Sequence, residues 1–196
     1  DLIAIEGSSW PVRVKEMPLG NLVADAYRTI MDTQIGITNG GGLRSSIKAG
    51  DITLGDVIAV QPNDNNMIIL EVTGTELLAM LTKCTAKCPE ADGSFPQVSG
   101  LKYTIHTGSH TVTDVMVQDE GAETYQPLDP NGKYTVATID YALSGGFYRT
   151  LQNCKLISLT EVLSRDALSE HLVVNLNGVM PDKYKDVEGR ITILND

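Results

Sequence analysis

The 196-residue chain carries 15 Lys and Arg against 25 Asp and Glu, and a formal charge of −10 excludes an extended nucleic-acid surface, which takes clustered cations. Its 42% hydrophobic content is that of an ordinary globular chain, and no apolar run approaches the ~18 residues that a membrane-crossing helix needs. The length suits one domain, residues 1–196.

The opening DLIAIEGSSW lacks the basic stretch and apolar core that mark a signal peptide. Leu22, Val23, Ala26, Tyr27 and Ile30 then form one stripe of an amphipathic helix that ends near Asp32. IGIT reads as a short buried strand running into Gly40, Gly41 and Gly42, so that loop sits at a strand's carboxyl end, where α/β proteins often hold ligands. Thr53 and Asp56 signal the start of a short helix that stops before Pro62. Residues 66–72 are a strand, and Thr73 with Glu76 opens the helix carrying Leu77, Leu78 and Leu81, which ends before Pro89. GLKYTIHT and TVTDVMVQD alternate around Gly108 and Ser109 as an antiparallel hairpin. KYTVATID is a further strand, running into the glycine pair of YALSGGFYR; SRDALSEHLVV is a helix and GRITIL a closing strand. Helices interspersed with hairpins, without regular βαβ alternation, indicate an α+β fold of mixed α/β layers.

Catalytic patterns are sparse. His106, His110 and His171 are dispersed, with no H-E-x-x-H or comparable set, so no metal site is expected in this chain. LSGGF lacks the G-x-S-x-G elbow. Cys84, Cys88 and Cys154 are open to two readings, one disulfide plus a thiol or three thiols. NGGGLR joins a permissive backbone, an amide and a guanidinium able to fork onto phosphate or carboxylate, but it matches neither the P-loop nor G-x-G-x-x-G. By itself it reads as a turn with a surface arginine or as a ligand cradle. Tyr141, beside Gly145 and Gly146, reads as a core aromatic or a stacking surface.

Taken in order and spacing, MPLGNLVADAYR, ITNGGGLRSSIKAGDITLGDVIAVQPNDN, VTGTELLAML, FPQVSGLKY, YTVATIDYALSGG and VEGRI resemble the C-terminal domain of the 5′-nucleotidase family, which includes UDP-sugar hydrolases and ecto-5′-nucleotidases. The resemblance implies mixed sheets with packed helices and a division of labour. An N-terminal metallophosphatase domain, in the same or a separate chain, holds divalent metal ions and hydrolyses the phosphate ester, while the C-terminal domain grips the nucleotide. It further implies that Asn39, Gly41, Gly42 and Arg44 meet the substrate, that Tyr141 stacks on the base with Gly145 and Gly146 allowing close approach, and that Arg13 or Lys15 supplies another basic contact. An extracytoplasmic setting, periplasmic, secreted or cell-surface, is implied in the same way. Two positions depart from the family pattern: Asn63 stands where an aromatic often completes a sandwich around the base, and Phe147 where an aspartate bonds ribose. The departures leave a second reading open, a binding or assembly module that kept the fold and lost nucleotide recognition.

Overall fold

The computed structural model describes residues 1–119, 121–144 and 149–196. The chain folds as α1 (Pro18–Ile30), β1 (Ile35–Asn39), α2 (Leu54–Val60), β2 (Asn66–Thr73), α3 (Gly74–Thr85), β3 (Pro96–Ser99), β4 (Leu101–His106), β5 (Thr111–Gln118), β6 (Tyr125–Pro127), β7 (Lys133–Ile139), β8 (Lys155–Leu163), α4 (Ser164–Glu170) and β9 (Ile191–Leu194). Local chemistry sets the helix ends. At both α2 and α3 a threonine hydroxyl accepts from the backbone N–H three residues on, while the acid there, Asp56 or Glu76, returns to the threonine N–H. Pro18 starts α1 at a position where a missing N–H costs nothing. The SRDALSEHLVV helix is shorter than its sequence suggests: α4 ends at Glu170, and His171–Asn175 continue as a wider π-type turn.

Five strands in the order β3-β1-β7-β2-β8 form a mixed sheet in which β1 and β7 are parallel and the other neighbours antiparallel. The order β6-β5-β4-β9 builds a second sheet around the expected β4–β5 hairpin. The larger sheet is covered on both faces, and β2 shows how. Ile68, Leu70 and Val72 join a core with α3 and the second sheet, whereas Met67 and Ile69 join one with α1, α2 and α4. β1 is buried at all five positions, as a strand between two cores must be. Cys84, Cys88 and Cys154 are all buried as thiols, so the second of the two readings of the cysteines holds.

A buried polar network ties the two ends of the chain together. Glu16 accepts from the Asn21 side chain at 2.8 Å and from the Glu188 and Ile191 amides at 2.8 and 3.0 Å. Arg190, 5% exposed, sets its guanidinium 2.8 Å from Asp25 Oδ1 and also donates to Glu188 and to the Val98 carbonyl. Burial alone would raise the Asp25 carboxyl, but Arg190, assisted by Lys183, holds it well below the usual carboxylate range. VADAYR and VEGRI, distant in sequence, thus close on each other through Asp25 and Arg190.

Candidate functional site

The parallel pairing of β1 and β7, with Gly36 opposite Ala137, delivers the carboxyl ends of both strands to one edge of the sheet. Asn39 and the glycine turn leave from the first strand, Asp140 and Tyr141 from the second. β2 runs the other way, with Met67 opposite Ile139, so the polar segment ahead of it arrives at the same edge. The Asn66 amide donates to Asp140 Oδ2 at 3.4 Å. Asn65 lines both the narrow gap beside Gly42 and the open depression beside Asp140 and Tyr141, bridging the two loops. Tyr141 is 44% exposed, which suits a stacking surface and not a core aromatic.

The glycine turn is built into the fold. Gly40 N–H donates to the Phe95 carbonyl at 2.8 Å and Gly41 N–H to the Gly93 carbonyl at 2.9 Å. A Cβ on Gly40 would lie 2.1 Å from the Val12 carbonyl oxygen and one on Gly41 2.8 Å from that of Gly93, so glycine alone fits where three chain segments meet. Asn39 is 3% exposed and its amide nitrogen donates to Gly93 O at 2.8 Å. Its donor end therefore holds the neighbouring turn in place, while its carbonyl oxygen lies beside Gly42.

Trp10 organises the cations. The Arg13 guanidinium lies 3.8 Å from the indole centroid and that of Arg44 5.1 Å. Burial and then the charge of Arg44 push the Arg13 pKa down, with Asp92 opposing. Arg44 is exposed and bonds only weakly inward, Nη1 to Gly41 O at 3.3 Å. Neither guanidinium forms an ion pair with a carboxylate among the described residues, and Arg13 Nε is buried without a partner. Two adjacent cations, neither held in an ion pair, suit an anion that accepts from both forks. Arg13, not Lys15, is thus the basic group beside Arg44. Trp10 belongs to no sequence motif; an indole three residues before Arg13, directly ahead of PVR, is its sole local signal.

Asn39, Gly41 and Gly42 leave β1 and Tyr141 leaves β7 at this edge, and Arg44 follows the glycine turn to lie against Trp10, while Gly145, Gly146 and Phe147 lie outside the described residues. Among the described residues no group of three or more His, Cys, Asp or Glu side chains is arranged to hold a metal ion.

Residues 3–151 match the family model described as "5′-nucleotidase, C-terminal domain". The chain is 33% identical over 151 residues, 74% of its length, to the trifunctional nucleotide phosphoesterase protein YfkN of Bacillus subtilis, of which it covers 10%. It is 30% identical over 142 residues, 72% of its length, to the protein UshA of Escherichia coli, covering 24% of that protein. The crystal structure of a 5′-nucleotidase precursor from Thermus thermophilus superposes over 100% of this chain and 38% of its own with a TM-score of 0.87 and 31% identity. The chain thus spans well under half the length of these proteins.

Proposed function

The chain belongs to the 5′-nucleotidase family, whose C-terminal domain it represents, and on that premise we propose that residues 1–196 form one nucleotide-recognition domain. A metallophosphatase domain, in the same or a separate chain, supplies the divalent ions and hydrolyses the phosphate ester. The described residues of this chain do not group to hold such ions, so no step of hydrolysis is assigned to it. Arg44 and Arg13 take the phosphate side of the ligand, with Gly41 and Gly42 admitting its close approach and Asn39 keeping the turn in shape. Tyr141 carries the base. Asn63 lines the gap beside Gly42 and offers an amide where an aromatic would stack. Holding the base from one face forfeits part of the ~1–3 kcal/mol that stacking provides, so the phosphate side carries more of the affinity. The setting is extracytoplasmic, in keeping with the family.

The observation that carries this reading is the pair of guanidinium groups on Trp10, neither of which forms an ion pair among the described residues. Titration calorimetry with AMP and with adenosine tests it. Arg44→Ala should weaken AMP binding by about 1.5–3 kcal/mol, the range for hydrogen bonds to charged groups, and leave adenosine nearly unchanged. Arg44→Lys should recover part of the loss, because a point charge cannot reproduce the fork. Trp10 is the chain's single tryptophan, so its fluorescence reports the same event directly. Unchanged AMP affinity in Arg44→Ala with an intact fold would remove the anion site and favour the reading of a module that has lost nucleotide recognition.

A further inference from the structure

A cleft of about 800 Å³ opens at the amino end of β1, where Gln34 is part of its lining, away from the glycine turn at the strand's other end. Asp25, Arg28 and Thr29, at i, i+3 and i+4 of α1, form one wall. Gln118 of β5 and Tyr125 of β6 contribute another, and His171, Lys183 and Arg190 complete it. The volume is that of a small-molecule site. Such sites are mostly apolar, whereas this lining is polar, so a ligand that fits it is itself polar.

Two groups in the cleft are left with unmet needs. Asp25 is paired with Arg190 and Lys183, and Glu188 with Arg190, while Asp32 and Glu123 are exposed to water. Arg28 is half-buried and forms no ion pair among the described residues; its Nη1 donates to Gln118 Oε1 at 2.5 Å. Its guanidinium lies along the backbone of Gly100, where a Cβ would stand 3.0 Å from Nε. His171 is 4% exposed, and both ring nitrogens are buried without a hydrogen-bond partner. Burial lowers its pKa, Asp25 opposing and Lys183 assisting, and Asn175 stands near enough to favour the charged ring without completing a bond. A neutral imidazole needs one acceptor and one donor, and hydroxyl groups serve as both. Burial also raises the Tyr125 pKa against the charges of Arg190 and Arg28, so its hydroxyl stays a donor. We propose that the cleft binds a small hydroxylated oxyanion of the sugar-acid or sugar-phosphate class. Arg28 takes the carboxylate or phosphate on its fork, with the Tyr125 hydroxyl as a further donor. The His171 ring turns about its Cβ–Cγ bond to meet a ligand hydroxyl.

Titration calorimetry of the 196-residue chain with gluconate, glucose 6-phosphate and glucose tests this. One or both anions should bind, and glucose should bind about tenfold more weakly or worse; the anion preferred identifies carboxylate or phosphate as the group held. The binding should persist in Arg44→Ala, which separates the cleft from the glycine turn. Arg28→Gln should weaken it by about tenfold or more, and Arg28→Lys should recover part of the loss. His171→Leu should weaken it by about threefold or more, with thermal melts showing that each variant is folded. The chain has three histidines, and in imidazole nitrogen spectra of the wild type the His171 resonances should move on titration while those of His106 and His110 stay. Absence of binding by both anions, glucose bound as tightly, affinity lost in Arg44→Ala but kept in Arg28→Gln, or His171 resonances that do not move would overturn the proposal.

Discussion

Replacing Arg190 by methionine removes the cation that the buried network is built around while keeping an unbranched side chain. Asp25 loses the guanidinium contact at 2.8 Å and a hydrogen bond from Nη2 at 3.0 Å, and the Val98 carbonyl loses a donor at 2.6 Å. The carboxylate keeps Lys183 Nζ at 2.9 Å and the Tyr184 hydroxyl at 2.8 Å, yet it stays 6% exposed with one cation where it had two. Breaking a buried pair by deleting one partner costs about 3–5 kcal/mol, and the surviving Lys183 contact places Arg190→Met near the lower end, about 3 kcal/mol. For a chain of this length that corresponds to a fall in Tm of about 6–12 °C. Urea unfolding of wild type, Arg190→Met, Asp25→Asn and the double variant measures it. The double variant should be more stable than the sum of the singles predicts, because Asp25→Asn removes the charge that Arg190→Met strands. In wild type the Asp25 contribution is complete above its unfolded pKa of about 3.9 and is lost as pH falls below it, because the folded value is depressed. With Arg190 gone, burial raises that carboxyl and the acid-induced loss should shrink. A cost below about 1 kcal/mol, or strictly additive singles, would refute the view that Arg190 compensates a buried charge.

Gly40→Ala should destabilise by at least about 1–3 kcal/mol in thermal melts, since its Cβ meets the Val12 carbonyl at 2.1 Å, and should weaken AMP binding in calorimetry; Gly42→Ala, whose nearest neighbour is Asn39 Oδ1 at 3.1 Å, should be milder, and equal effects would contradict the packing. Burial pushes the His171 imidazole below its usual pKa, with Asp25 opposing and Lys183 assisting. A base depressed in the folded state contributes stability that is complete above its unfolded value of about 6.5 and is lost as pH falls below it, so wild type should weaken over that window while His171→Leu shows a shallower slope. Equal slopes in denaturant titrations at successive pH values would exclude His171 as the cause.

Much of the fold is legible locally. The α1 stripe, the Thr53–Asp56 and Thr73–Glu76 caps, the β4–β5 hairpin and the buried run of β1 are written in residues a few positions apart, because caps and side-chain periods act within one or two turns or pleats. β3, β6 and β8 have no comparable signal: β3 begins on Pro96, β6 spans three residues, and β8 is an edge whose register against β2 shifts twice. These strands are specified by the neighbours they pair with, which sequence periodicity does not name. The site divides in the same way. Asn39, the glycines and Arg44 stand together in the chain, and the family resemblance adds Tyr141. Only the parallel register of β1 with β7 puts Tyr141 on their edge, and only the packing of the Pro11–Arg13 turn against Gly40 brings Trp10 and Arg13 to Arg44. The network of Glu16, Asp25, Glu188 and Arg190 is likewise tertiary, since charges from opposite ends of the chain become partners only when a shared core removes them from water.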